Sequence, residues 1–241
     1  MTKLKSFLQP ALAIIVVTAL FSCGGSSAKK SADSSAAAAA DTSKKAAAPA
    51  ATVPFDVVDV VHSIKDYAKW RPVFDADSAN RKAAGMQTVA VGRNADNPNS
   101  ILVAVKVPDV AKAKAFMADP KLKATMDKSG VVSKPDVQFY HMIRMNGGPS
   151  KRWVVINHKV KDFNAWLKVY DGEGEAKRAS EGYTDRALGR GIDDTTMVHL
   201  VFTVTDMAKA KAAIFSDEKK KLMESAGVIG KPDIRFYNAA Q

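Results

Sequence analysis

The stretch DYAKWRPVFD at residues 66–75 returns as DFNAWLKVYD at residues 162–171. Both copies keep an aspartate at each end, a tryptophan in the middle and a ring four positions further on. The likeness spreads outward until residues 56–140 are matched by 153–237. His62 pairs with His158; after a one-residue insertion, Arg81 pairs with Arg178, Gly92-Arg93 with Gly189-Arg190 and Asp96 with Asp193. Gly130-Val131 then pairs with Gly227-Val228, and Phe139-Tyr140 with Phe236-Tyr237. A period this long, present twice, means two domain-sized units and not a short-repeat solenoid.

Each unit carries the same succession of local signals. β-Branched runs at 57–62 and 154–158 read as strands. Asp66 and Asp162 follow as helix N-caps, since a carboxylate oxygen can accept from the exposed amides of a first turn. Pro72 predicts a turn ahead of the regular helix in the first copy, and Gly85 and Gly182 predict left-handed stops. Strands at 88–93 and 101–107, and at 186–190 and 197–204, form hairpins around Asn- and Asp-rich turns. Second helical regions run from Asp109 and Asp206 to Gly130 and Gly227, and last strands cover 137–141 and 234–237. The order is β-α-β-β-α-β, the ferredoxin-like unit. The third strands, Ile101–Val105 and Val198–Phe202, are nearly unbroken apolar runs, so both of their faces must be covered. The expected fold is α+β: two tandem ferredoxin-like repeats whose sheets close into a pseudo-dimeric α+β barrel within one chain.

The residues that carry these signals resemble a known superfamily. The Asp-aromatic-x-x-Trp-x-x-x-(Phe/Tyr)-Asp stretches, the downstream Arg and Gly, and the Gly-Val-x-x-Lys-Pro-Asp endings at 130–136 and 227–233 are similar to the dimeric α+β barrel superfamily. That superfamily includes domains like those of antibiotic-biosynthesis monooxygenases. The resemblance covers nearly all of 56–237. It implies a barrel that most members build from two chains, and a range of chemistries from cofactor-free oxygenases to haem-degrading enzymes and isomerases. Fold likeness does not carry an activity across.

Ahead of the repeats, Lys3 and Lys5 precede an apolar run from Ala11 to Phe21, too short to span a bilayer and typical of an export signal. Leu20-Phe21-Ser22-Cys23 resembles the lipobox of bacterial lipoproteins, which implies cleavage before Cys23 and lipidation of its sulfur. Gly24 in place of Asp is what that resemblance associates with the outer membrane, facing the periplasm. Cys23 is the one cysteine of the chain, so an intramolecular disulfide and a CxxC metal site are both excluded. From Gly24 to Thr52 the chain is mostly Ala, Ser and Lys without an aromatic, a composition that cannot offset its ordering entropy. Such a tether has an average reach on the order of 30 Å. The expected organisation is a signal peptide at 1–22, a lipidated tether at 23–52, repeat one at 53–145 and repeat two at 146–241.

Of the formal net charge of +11, two charges fall in the signal and two in the tether, leaving +7 on the repeats. An exported chain with that balance meets lipid head groups and small acids, and nucleic acid is not an expected partner. Lysines at 112, 114, 121 and 123, and at 209, 211 and 219–221, fall on helices and read as solvated faces.

Several repeated side chains are candidates for a site. His62 and His158 end the first strands, where an imidazole can be a base or a structural hydrogen-bonding group. Trp70 and Trp166, each four residues from Phe74 or Tyr170, either wall a ligand pocket or simply fill a core. Arg81, Arg178, Arg93 and Arg190 can clamp an anion, or pair with the repeated acids Asp75, Asp171, Asp96 and Asp193. Tyr140 and Tyr237 end the last strands and either present a hydroxyl or anchor the barrel seam. His141 and His199 are not repeated, and HxH and HExxH spacings do not occur, so a metal is not expected. The sequence also lacks a GxSxG elbow, a P-loop and a dinucleotide fingerprint, and no cofactor is called for. The leading expectation is an envelope-anchored module that binds a small apolar or acidic molecule or an envelope protein partner. The alternative is a cofactor-free monooxygenase or isomerase with His62 or His158 as base and Arg93 or Arg190 polarising an oxygen.

Overall fold

The computed structural model describes residues 54–146 and 148–240. The signal, Cys23 and the whole tether lie outside the described residues. Repeat one runs β1 (Phe55–Ser63), α1 (Tyr67–Ala76), α2 (Ser78–Ala83), β2 (Gln87–Asn94), β3 (Ser100–Val107), α3 (Val110–Met117), α4 (Pro120–Ser129) and β4 (Asp136–Met145). Repeat two runs β5 (Arg152–Val160), α5 (Phe163–Glu173), α6 (Glu175–Ser180), β6 (Tyr183–Gly191), β7 (Met197–Val204), α7 (Met207–Ile214), α8 (Asp217–Ser225) and β8 (Val228–Ala239).

The strands close into one antiparallel barrel in the order β1-β3-β2-β8-β5-β7-β6-β4. Each repeat contributes four strands to it. The two seams join β2 to β8, where Gly92 faces Ala239, and β4 to β6, where Tyr140 faces Gly191. Strand parity then sorts the side chains. On β1 and β3, Val58, Val60, Ile101, Val103 and Val105 pack outward with Trp70 beneath the helices. The intervening Val57 and Leu102 belong to the barrel interior with Tyr140, Met142, Trp153 and Tyr237. The apolar runs of the third strands thus have both faces covered, by helices outside and by the opposite wall inside.

The aspartate caps form: Asp66 accepts from the Lys69 amide at 2.9 Å, and Asp162 from the Ala165 amide at 2.6 Å. Pro72 departs from expectation, because α1 already starts at Tyr67 and the proline lies inside it. The amide it lacks would have served the carbonyl of Ala68, and both residues are exposed, so water can replace that bond. The insertion in repeat two falls where α5 meets α6, and Gly174 absorbs it at φ 81°.

Candidate functional site

Each repeat holds a cavity between its helices and the outer face of its sheet. The cavity of repeat one has a volume of about 70 Å³ and that of repeat two about 60 Å³. Parity places His62 and His158 on that outer face, and each ring lies against a tryptophan, at 5.7 Å from Trp70 and 5.5 Å from Trp166 between centroids. Trp70 in turn stacks on Phe74 at 4.8 Å, and Trp166 on Tyr170 at 5.1 Å. Both imidazoles are 4% exposed, and neither nitrogen of either ring has a hydrogen-bond partner among the described residues. Burial pushes both pKa values down to about 4, so the rings are neutral at pH 7. A neutral imidazole carries one donor and one acceptor. Leaving both unmet in a buried wall costs free energy, and native interiors rarely tolerate it.

The arginines divide into two kinds. Arg81 and Arg178 line the cavities. Arg93 and Arg190 do not: each closes its hairpin turn, on the carbonyl of Pro98 or Thr195 at 3.0 Å, and lies over the ring of Tyr67 or Phe163. The acids expected to pair with them are engaged elsewhere. Asp75 binds Arg71 and Asp171 binds Arg144, while Asp96 and Asp193 bind Lys211 and Lys114 across the repeats. Tyr140 and Tyr237 point into the barrel interior, Tyr140 stacked on His199 at 4.1 Å and Tyr237 on Trp153 at 6.0 Å. Both are buried, Tyr140 at 2% and Tyr237 at 1% exposure.

The surroundings of the two cavity arginines differ. The Arg178 fork meets Asp185 through Nε at 2.6 Å and Nη2 at 2.7 Å, and Nη1 reaches Glu173 at 3.2 Å. Tyr170 donates to Asp185, Tyr183 donates to Glu181, and Lys219 joins Glu173 to Glu181. Burial opposes the Arg178 charge, but the Asp185 bonds outweigh it and its pKa is raised. Arg81 has only Asp77, at 3.2 Å from Nη1, the Phe74 carbonyl at 2.9 Å from Nη2 and the Phe74 ring at 3.9 Å among the described residues. There burial wins over the attraction of Asp77 and Asp75, and the pKa is lowered.

A second polar group sits inside the barrel, and the sequence reading did not single it out. Asp59 is 5% exposed, and burial, aided by the charge of Asp136, raises its pKa to about 7. His199 Nδ1 lies 2.8 Å from Asn157 Oδ1, and its Nε2 lies 3.8 Å from Asp59 Oδ2. That gap exceeds a hydrogen bond, and burial lowers the His199 pKa to about 3 while Asp59 ionises only near 7, so at no pH are both groups charged and no ion pair forms. The available signal was Asp59 itself, an acid on the inward parity of the run VVDVV. The adjoining space of about 20 Å³ admits about one water, so this cluster is not a ligand site.

Among the described residues no group of three His, Cys, Asp or Glu side chains is placed to hold a metal ion. No family model matches the sequence, and no curated protein matches it. Solved structures do match in fold. An anthrone oxidase-like protein superposes with a TM-score of 0.52 at 14% identity, covering 78% of this chain and 92% of that one. A haem-binding protein from Thermus thermophilus gives 0.51 at 12% identity, covering 81% and 95%. The fold is therefore that of the dimeric α+β barrels, with both halves supplied by a single chain. A haem does not fit here: each histidine is walled in by a tryptophan, and about 70 Å³ is far too small for a porphyrin.

Proposed function

We propose that the chain is a bacterial envelope lipoprotein whose two repeats form a small-molecule binding module. The observation that carries the reading is the pair of buried imidazoles, His62 and His158, each with two nitrogens unpartnered among the described residues on the wall of a mostly apolar cavity. A shaped apolar space with one or two convergent polar groups is what small-ligand sites are made of. Trp70 and Trp166 would supply the apolar wall, and the imidazole would exchange a donor and an acceptor with the ligand. Anchoring would run through a lipid on Cys23, with the tether holding the barrel off a membrane, the outer membrane by preference. A small apolar or acidic molecule is the expected ligand; capture of an envelope protein partner is the further role open to a tethered domain.

Turnover is the second reading, favoured by the neutral state of both imidazoles, which leaves a nitrogen free to accept a proton. Neither ring has an orienting carboxylate among the described residues, however, and Arg93 and Arg190 are committed to their turns, so Arg81 or Arg178 would have to polarise the oxygen. Native mass spectrometry of the full-length protein purified from its own cells tests the first reading. A small molecule lost on denaturation is the expected result; a bare chain, also bare after His62 and His158 are both replaced by Ala, would turn attention to a docking role. Cys23→Ala is expected to abolish lipid labelling, and unchanged labelling would remove the anchor.

A further inference from the structure

The two cavities share one frame and differ where the arginine sits. Tyr170, Glu181, Tyr183, Asp185 and Lys219 of repeat two stand where repeat one has Phe74, Ala84, Met86, Thr88 and Leu122. The register fixes the central exchange: Thr88 faces Val105 on the neighbouring strand, and Asp185 faces Phe202, the residue equivalent to Val105. In repeat two the acid closes the Nε–Nη2 edge of Arg178. In repeat one no acid among the described residues does so. Arg81 is held through Nη1 and Nη2 and makes no hydrogen bond through Nε to a described residue, although the side chain is only 9% exposed. A guanidinium buried to that degree with one carboxylate, held through one nitrogen, is undercompensated. The cavity it lines is apolar through Met86, Phe116, Leu122 and the Trp70 ring, with His62, Asp77, Thr125 and Ser129 as its other polar groups.

We propose that repeat one alone takes up a small apolar carboxylate, whose carboxyl group docks on the Nε edge of Arg81 while its apolar body fills the cavity toward His62. In repeat two the chain's own Asp185 occupies the equivalent place. The proposal rests on reading the cavities as binding sites, and adds the class of ligand and the repeat that holds it. Charge and planarity select a carboxylate, since its two oxygens match the fork that Asp185 already fills in the sister repeat. Size selects a short acid: about 70 Å³ corresponds to about five water-sized groups, enough for a branched aliphatic or a single-ring body.

The test is equilibrium dialysis of labelled phenylacetate and isovalerate against the full-length chain, with the corresponding amides as neutral isosteres. One acid per chain is expected, the amides weaker by about tenfold or more. Arg81→Met should weaken the acid to the level of the amide. Thr88→Asp, which writes the repeat-two plug into repeat one, should abolish acid binding with the melting temperature unchanged or raised. Asp185→Thr should open a second site; if that variant does not fold, Thr88→Asp decides alone. Two equal sites in the wild type, equal affinity for acid and amide, or acid binding untouched by Thr88→Asp would overturn the proposal. Amide bound in preference to acid sinks this inference and leaves the binding module standing. Neither compound bound at millimolar concentration sinks both.

Discussion

Repeat one and repeat two answer the same problem, a buried arginine beside an apolar cavity, in two ways. Repeat two surrounds Arg178 with Asp185, Glu173, Tyr170 and, through Glu173, Lys219. Repeat one leaves Arg81 with Asp77, a carbonyl and the face of Phe74. The backbone is nearly the same, so the difference lies in a handful of side chains, and it shows that one frame can be closed by its own charges or left to receive another molecule's. Removing Asp185 should therefore hurt most. Asp185→Ala removes the two short bonds to the Arg178 fork and leaves it Glu173 as its one acid, and is expected to cost about 3–5 kcal/mol in urea unfolding, whereas Asp77→Ala, which removes one long bond to Arg81 and the bond from Asn80, should cost about 1–3 kcal/mol. Equal losses would mean that Arg81 is as dependent on its acid as Arg178, and the contrast between the repeats would disappear.

The histidines give a comparison in which the repeats should agree. Unfolded imidazoles take up protons near pH 6.5, and His62 and His158 do so in the folded protein only near pH 4. Below 6.5 the unfolded state binds more protons, so stability is fully present above that value and is lost as pH falls toward 4. At about 1.4 kcal/mol per unit, each ring accounts for roughly 3 kcal/mol at the acid end. Asp59 acts in the opposite sense: its carboxyl is held protonated to about pH 7, so its contribution is fully present below 3.8 and is lost as pH rises through 7. His62→Leu and His158→Leu should each flatten the acid limb of a stability–pH curve by the same amount. A ring whose replacement changes nothing is already hydrated, and its cavity is wetter than its twin.

What the sequence made legible follows from period and parity. Duplicate strands with uniform β-branched character, aspartates ahead of the helices and the order of elements sufficed for the barrel, because each depends on near neighbours in the chain. Pairing of charges was not legible. Asp75 and Asp171 recur at matching positions yet bind different partners, Arg71 one turn away and Arg144 on the other repeat, since Leu167 stands where repeat one has Arg71. Asp185 was unmarked for a related reason: it sits beside a bulge where β6 slips against β7, so the strand gives no alternation to place it. Asp59 and His199 are brought together only by barrel closure, from strands of different repeats.

The seams can be compared through their glycines. A Cβ at Gly92 would lie 2.5 Å from the Trp153 ring and 3.1 Å from Tyr237 Cβ, while one at Gly189 would lie 2.9 Å from Met142 Sδ and 3.1 Å from the His141 carbonyl. A wedged indole has nowhere to go, whereas a thioether can swing. Gly92→Ala is thus expected to cost about 2–3 kcal/mol and Gly189→Ala about 1 kcal/mol, within the usual range for overpacking. A reversed order in thermal melts would mean that the β2–β8 seam yields more easily than the β4–β6 seam.

The smallest effect belongs to a pair of contacts that obey the pseudo-symmetry. Lys114 of α3 binds Asp193 of repeat two at 2.5 Å, and Lys211 of α7 binds Asp96 of repeat one at 2.7 Å. Each joins a helix of one repeat to a hairpin turn of the other, so the two could be taken as clamps that hold the barrel shut. The physics argues against that. All four groups are more than a third exposed, and such pairs contribute about 0.2–1 kcal/mol and are screened by salt. Double-mutant cycles at Lys114–Asp193 and Lys211–Asp96 should give the same small coupling, falling further at high ionic strength. A coupling several times larger at one seam would show that closure depends on charge there, and the division of labour between a plugged and an open repeat would then extend from the cavities to the way the two halves are held together.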